Sequence, residues 1–362
     1  MRSQPSVPAA LVSVIIPVYG NGFYLGRCLE SLGAVKGLEF SVLLVDDGSP
    51  EAVADHLSWP SIRCHRLGEN RGPAHAVNRG LEETASDWVV VLNSDVELPP
   101  QSLNHLVEAL AERPDYHFAA AKLLHPKEPP TIDSVGDGML IGGGGYRIGH
   151  EELEQGQYGS ARSVLSAAGT ASLYRRSLLN ELGGFDEDFF GFLEDLDLSL
   201  RAQLRGYRCL YVPSAVVYHH GGVTFRNRGE KEIYRLITRN QIWIVVKNYP
   251  ATVLLRALPR LLVFQPLWAA LMVSRGLLVP YLRGLGEALL GLPRMLGKRR
   301  QIQRSRTISP RRFWELLKES EQEIAAWQLR LAPPERSLLL QLYFGLFGWP
   351  AVKTQEKTPA VA

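Results

Sequence analysis

The feature that most constrains this chain is a series of short apolar runs that stop at acidic or amide residues. Val12–Val18 (Val-Ser-Val-Ile-Ile-Pro-Val) reads as a buried strand. Phe40–Val45 is a second and stops at Asp46-Asp47-Gly48-Ser49; Asp87–Leu92 is a third and stops at Asn93-Ser94-Asp95. Helical patterns separate them, over Asn21–Leu32 and over Gly72–Thr84, where Ala74, Val77 and Leu81 share one face. Strands that alternate with helices predict a largely parallel sheet covered on both faces. Ligands bind open sheets of this kind just beyond the carboxyl ends of the strands. That is where the polar residues of this chain collect.

Further along, Ser102–Ala111 reads as a helix and Phe118–Leu123 as a strand. Residues 125–162 show little apolar periodicity and read as loop. The Gly142–Gly145 run within them reads as a flexible loop, with a phosphate cradle as the second reading. No strand-to-helix GxGxxG and no Walker lysine is present. Order resumes over Ser163–Tyr174, with short helices over Arg175–Leu182 and Glu194–Arg205 and a strand over Cys209–Val212. His219-His220 follows the apolar Val216-Val217-Tyr218, and Glu230–Tyr249 is predicted helical.

The stretch Gly184–Leu198 places Asp186, Glu187, Asp188, Glu194, Asp195 and Asp197 among Phe185, Phe189, Phe190 and Phe192. Carboxylates among aromatic rings are costly to desolvate unless they have partners or a job. Glu194, Asp195 and Asp197 also suit the first turn of a helix. Asp186 and Asp197 are expected to cap helices or pair with arginines.

The net charge of +3 hides an asymmetry: 17 Lys and Arg against 7 Asp and Glu from Pro250 onward, and 23 against 30 before it. The basic C-terminal third is also rich in Leu, Pro and Trp, which suits an anionic surface, either membrane or nucleic acid. One uncharged run there, Leu261–Ser274, has 14 residues, short of the about 20 a spanning helix needs. Pro259, Pro266, Pro280 and Pro293 are expected to interrupt it. The expectation is amphipathic helices in a membrane interface, with a helical subdomain packed on the core as the alternative. Lys298, Arg299, Arg300, Arg304, Arg306, Arg311 and Arg312 would meet anionic headgroups. Cys28, Cys64 and Cys209 lie far apart with no CxxC pair, which fits a reducing compartment and argues against a zinc or iron–sulfur site. The residues before Val12 do not read as a secretory signal.

Taken in order, several segments resemble the motifs of family 2 glycosyltransferases of the GT-A fold. They are Val14-Ile-Ile-Pro-Val-Tyr19, Val45-Asp-Asp-Gly-Ser49, Glu69–Gly80, Val91-Leu-Asn-Ser-Asp-Val-Glu97, Ala168-Gly-Thr170, Gly183-Gly-Phe-Asp-Glu187, Glu194-Asp-Leu-Asp-Leu198 and Pro213–His219. Each is short, but their order and spacing over residues 11–225 make the joint match specific. Within the family the chain is similar to the rhamnosyltransferase-like branch, which builds bacterial polysaccharides and cell-wall glycolipids. The resemblance implies an α/β fold of GT-A type: a Rossmann-like, mostly parallel sheet with helices on both faces. With the charge shift, the expected organisation is a flexible N-terminus (1–11), a catalytic domain (12–249) and a basic, apolar, membrane-associating helical region (250–362).

The resemblance also implies an inverting transfer of a sugar, with rhamnose in view, from a nucleoside-diphosphate sugar to a lipid-linked sugar or polysaccharide. By motif position, Pro17, Val18 and Tyr19 would lie along the nucleobase. Asp47, with Asp46 beside it, would hold base or ribose. Asn70, Arg71, Gly72 and Asn78 would border the nucleotide, and Asn93 and Ser94 complete the donor set. Asp95 matches the last acid of the family's metal-binding Asp-X-Asp, while Asn93 stands at its first position. That departure leaves the expected Mg²⁺ or Mn²⁺ short of carboxylates, so His219 is the expected further ligand and His220 the alternative. Asp195 matches the catalytic base, with Glu194 orienting it or binding acceptor. A physical argument agrees: one in-line displacement needs one acceptor-side base, and a carboxylate near apolar rings has a raised pKa.

Two other classes compete. A nucleotidyltransferase would want a Gly-rich phosphate loop near Val14–Gly22, which is absent. An inactive relative that binds carbohydrate or nucleic acid suits the basic tail, but the presence of Asp95, Asp195 and His219 weighs against it. No nucleic-acid partner is expected. The expected location is the cytoplasmic face of the inner (plasma) membrane, peripheral or monotopic.

Overall fold

A computed structural model of the chain describes residues 12–20, 22–53, 62–221 and 229–349; the expected flexible N-terminus, 1–11, lies outside them. The strands are β1 Val12–Val18, β2 Phe40–Asp46, β3 Arg63–Arg66, β4 Trp88–Leu92, β5 Val96–Glu97, β6 Phe118–His125, β7 Thr131–Ser134, β8 Asp137–Met139, β9 Gly145–Arg147, β10 Arg162–Val164, β11 Ala171–Arg175 and β12 Cys209–His219. Among them run α1 Gly22–Gly33, α2 Pro73–Glu82, α3 Ser102–Ala111, α4 Arg176–Leu182 and α5 Glu194–Leu204. The C-terminal part holds α6 Glu230–Asn248, α7 Ala251–Ser274, α8 Leu278–Leu290, α9 Leu292–Ser305, α10 Pro310–Arg330 and α11 Leu338–Phe347.

The main sheet runs β10-β12-β6-β11-β4-β1-β2-β3, with β5 on β12 and β7 on β6. β1 sits in its interior, paired in parallel with β2 and β4, and β3 continues the parallel set beyond β2. Val12, Val14 and Ile16 enter one hydrophobic core and Ile15 the other, so the strand is apolar on both faces. The remainder is mixed. β11 lies antiparallel between β4 and β6, while β12 runs parallel to β6. The expected parallel sheet is therefore the half that carries the motifs around Tyr19, Asp47 and Asn93.

Residues 125–162 depart from the loop expected of them. They hold β7, paired to β6, and the β8–β9 hairpin. Gly142, Gly143 and Gly144 are buried in the turn of that hairpin. A Cβ on Gly142 would approach Phe264 Cβ to 2.8 Å, and one on Gly144 would approach the Phe264 ring to 2.6 Å. These glycines exist because α7 lies directly on their backbone, which is the opposite of a flexible loop.

The prolines were also misleading. α7 runs for 24 residues with Pro259 and Pro266 inside it. Each proline withholds one N–H, from the carbonyls of Leu255 and Leu262. Both prolines and both leucines lie on the exposed face, where the freed carbonyls are open to hydration. Pro280 and Pro293 sit in the first turns of α8 and α9, where proline is tolerated.

The C-terminal helices pack on the sheet domain through specific polar bonds. Met139 N–H donates to Ser320 Oγ at 2.7 Å, Ile141 N–H to Glu321 Oε1 at 3.1 Å and Gly142 N–H to Tyr343 OH at 3.2 Å. α10 and α11 thus hold the outer edge of the β8–β9 hairpin.

Candidate active site

The carboxyl ends of β1, β2 and β4 open into a cleft of about 750 Å³. Pro17, Val18, Tyr19, Asp47, Asn70, Asn93, Ser94, Asp95, Glu194, Asp195 and His219 all line it. The chain brings them together because parallel strands end on one side of the sheet.

Asp47 caps the turn before α2. Its Oδ1 accepts from Arg71 N–H at 2.9 Å and its Oδ2 from Gly72 N–H at 2.8 Å. Asp46 points elsewhere. It accepts from Ser49 N–H at 2.8 Å and from Val53 N–H at 3.4 Å, and Arg66 stands 3.7 Å away. Its carboxylate holds its own loop rather than facing the cleft. Arg71, Gly72 and Asn78 also fall outside the lining. Arg71 pairs with Glu187, and Gly72 has φ 91° under the Phe190 carbonyl. Asn78 exchanges hydrogen bonds of 2.9 Å with the main chain of Phe185 and donates to Glu187 at 3.0 Å. These three residues shape the wall around the donor side.

The two histidines of the doublet face different partners. His219 Nε2 lies 3.4 Å from Asp95 Oδ1, and its Nδ1 lies 2.7 Å from Asp133 Oδ2. His220 turns away to Glu97, 2.5 Å from its Nε2. Burial alone would pull the His219 imidazole down, but the Asp133 and Asp95 carboxylates lift it to about 9. Burial would raise Asp133, yet His150, His219 and Arg147 hold it well below the usual carboxylate range. Asp95 and His219 offer an oxygen and a nitrogen at the spacing of neighbouring ligands on one ion. A carboxylate on the other imidazole nitrogen is the arrangement that orients metal-bound histidines. This donor set fits a divalent cation.

On the opposite wall the chain passes through Phe190, Phe192 and Leu193 with φ of 64°, 65° and 66°. Each such residue costs about 1–3 kcal/mol and persists only where its surroundings enforce it. Here α6 does so. The Asn240 amide donates to the carbonyls of Phe189, Gly191 and Phe192 at 3.1, 2.9 and 2.8 Å. Arg239 donates to the carbonyls of Asp188 and Phe189 at 3.1 and 2.7 Å. The twisted segment delivers Glu194 and Asp195 to the first turn of α5, facing the cleft.

Asp195 accepts from Gly169 N–H and Leu196 N–H, both at 2.7 Å. Burial raises its pKa, and those N–H donors oppose the rise. Burial and then the Asp195 charge push Glu194 up to about 8, and the same two causes push Asp137 up to about 8. Of these three buried carboxyls, Asp195 is the one whose oxygens accept from two backbone N–H groups at 2.7 Å.

Asp186 and Asp197 pair with Lys247, and Asp197 also with Arg201, as expected of residues that do not react. Sequence reasoning missed Asp133, Asp137, Arg147 and Trp327, which the hairpin region and α10 bring to the site. The only signal was the pair of acids flanking Gly136 in an otherwise apolar stretch.

The sheet order, the cleft and its acids define a GT-A sugar-nucleotide fold, and known proteins agree. The profile described as Glycosyl transferase family 2 matches residues 13–183. GalNAc-T7 with UDP, GalNAc and Mn²⁺ superimposes with a TM-score of 0.55 at 14% identity, over 73% of this chain and 52% of that one. S. aureus TarS in complex with UDP-GlcNAc gives a TM-score of 0.51 at 18% identity, over 86% and 91%. This chain belongs to glycosyltransferase family 2. Within the family it is rhamnosyltransferase-like. The N-acetylglucosaminyl-diphospho-decaprenol L-rhamnosyltransferase of Mycobacterium tuberculosis is 32% identical over 241 residues, 58% of this chain and 76% of the relative. The chain is therefore a glycosyltransferase, which displaces the nucleotidyltransferase reading.

Proposed function

We propose that the chain catalyses inverting transfer of a hexose, with rhamnose the first to test, from a nucleoside-diphosphate sugar to a lipid-linked sugar or polysaccharide. The observation that carries this reading is one cleft with two differently equipped carboxylates. Asp95 is paired with His219 beside the donor-side strand ends, and Asp195 is buried on the opposite wall.

In this reading Pro17, Val18, Tyr19, Asp47 and Asn70 seat the nucleotide. Asp195 takes the proton of the acceptor hydroxyl as its oxygen attacks the anomeric carbon and the bond to the diphosphate breaks. One displacement with no protein nucleophile inverts the anomeric centre. Glu194 and Asp137, pushed up to about 8, can donate hydrogen bonds to the acceptor when protonated. Asp95 and His219 would hold Mg²⁺ or Mn²⁺, which neutralises charge on the departing diphosphate when bound. The mycobacterial relative's name supports a lipid-diphosphate sugar as acceptor and L-rhamnose as donor sugar. The nucleotide and Mn²⁺ in the structural neighbours support the donor class and the cation.

The reading places the enzyme on a membrane surface, at the cytoplasmic face and without crossing it. Leu255, Leu262, Leu338, Leu346 and Leu290 are 72%, 66%, 68%, 67% and 84% exposed. Among the described residues, Leu153 is the one large exposed apolar side chain before residue 250. α7 is long and apolar enough to span, with 22% of its apolar window buried. The unbonded carbonyls of Leu255 and Leu262 on its exposed face favour headgroups and water over hydrocarbon.

The test is incubation with a panel of nucleotide sugars and Mg²⁺ or Mn²⁺, scoring nucleoside-diphosphate release and product anomer. Release with one donor and an inverted product is expected. No release with any donor, or a retained anomer, overturns the reading.

A further inference from the structure

Lining the same cleft, on the side of the β8–β9 hairpin, stands a cluster that the transfer reading does not use. It consists of His125 at the end of β6, and His150 and Glu151 beyond β9. One ligand atom from each lies within 4.8 Å of the others. Glu151 Oε1 is 3.6 Å from His125 Nε2 and 3.8 Å from His150 Nε2. Two ligands about 2.1 Å from one tetrahedral ion lie about 3.4 Å apart, so small side-chain adjustments would close the set.

Further observations point the same way. His125 Nε2 is buried and makes no hydrogen bond among the described residues, although it faces the cluster. Glu151 holds a φ of 65°, unusual outside glycine, with its N–H fixed to the Ile132 carbonyl at 2.8 Å. Asp133 lies behind both clusters. Its Oδ2 orients His219, and its Oδ1 stands 3.5 Å from His125 Nε2 and 3.4 Å from His150 Nδ1. On His150 this puts a carboxylate on the other ring nitrogen, as metal-bound histidines require, whereas on His125 it approaches the same Nε2 that faces Glu151.

We propose that His125, His150 and Glu151 bind a second divalent cation, Zn²⁺ or Mn²⁺ in type, separate from the one assigned to Asp95 and His219. Two imidazoles and one carboxylate suit such ions, and the set uses no thiolate, so the cysteine count does not bear on it. Three protein ligands leave a coordination position open toward the cleft. Arg147 Nη2 stands 3.2 Å from His150 Nε2, the nitrogen that would take the ion, and so competes with it. Its side chain is 43% exposed and has solvent to move into. On the transfer reading, the open position takes an oxygen of the acceptor. Ion binding itself does not depend on that reading.

The experiment is calorimetric titration of metal-stripped, full-length protein with Zn²⁺ and with Mn²⁺ alone, without nucleotide or acceptor. Wild type should bind two ions per chain. His125→Ala and Glu151→Gln should each lose one of them or weaken it at least tenfold. Asp95→Ala should lose the other and keep the one lost in His125→Ala. Arg147→Ala should bind the second ion more tightly. Thermal melts establish that each variant is folded, and the exposed Glu151 side chain makes Glu151→Gln the safe member of the set. Ion binding that is undisturbed in both His125→Ala and Glu151→Gln overturns the proposal whatever the outcome of the transfer assay.

Discussion

The two walls of the cleft are built on different principles. The donor wall consists of parallel strand ends whose acids are satisfied close by, as Asp47 is by Arg71 and Gly72 and Asp46 by Ser49. The acceptor wall is assembled from a strained segment at 190–193, a buried hairpin and helices from the far end of the chain. Its carboxyls Glu194 and Asp137 are pushed up to about 8 by burial and then by the Asp195 charge. Local geometry builds the first wall, and packing between distant parts of the chain builds the second.

The largest test of this contrast is Asp195→Asn. Removing an acceptor-side base should lower turnover by about 10²–10⁴-fold and leave donor Kd within a few-fold. Turnover and donor affinity measured in parallel check it, and activity within tenfold of wild type would break the division between the walls. Asp95→Ala should act on the other side, weakening cation-dependent donor binding, with His219→Ala milder. Asp133→Asn, which touches His219, His125, His150 and Arg147, should cost roughly 10–100-fold in cation affinity. Mn²⁺ titration with nucleotide present reads all three.

Asn240→Ala removes three bonds to the strained segment and should destabilise the fold by ~2–3 kcal/mol in urea melts. Turnover should fall more than donor affinity, because the segment positions Asp195. Equal losses in both would mean that the walls are not separable.

A pH test is subtler. A carboxyl whose folded pKa lies above its unfolded one binds more protons when folded, so stability falls as pH rises between the two values. For Glu194 that window runs from about 4.5 to about 8. Glu194→Gln should flatten the fall in urea midpoint across it, whereas Asp47→Asn should leave the slope in that window intact. Smallest in effect on turnover with a soluble acceptor should be Leu255→Gln combined with Leu262→Gln and Leu346→Gln. Those changes should nonetheless release the protein from anionic vesicles more completely than high salt does.

The donor wall was legible in the sequence for the reason that makes it local. Asp47, Asn93 and Asp95 follow apolar runs that could only be buried strands, and sheet geometry then places them together. Asp195 was legible as an acid among rings at a helix start, but its partner Gly169 was not. Asp133, Asp137 and Arg147 were hidden because β7, β8 and β9 have three or four residues each, too short for periodicity to register. The glycines at 142–144 looked flexible because the side chains that require them, Phe264 and Tyr343, stand far along the chain. Pro259 and Pro266 looked like breaks because sequence does not show which face of a helix meets solvent.

The bonds from Ile141 to Glu321 and from Gly142 to Tyr343 span 180 and 201 residues. On a ribosome, at about 5–20 residues per second, such partners emerge roughly 10–40 s after the hairpin they support. The strands proposed to seat the nucleotide are complete well before then. A nascent chain should pass through an interval in which it can hold a sugar nucleotide but has no finished surface on which to use it. Chains stalled before and after residue 345 and probed with a nucleotide analogue would show whether donor affinity is established before the acceptor wall becomes protected from protease.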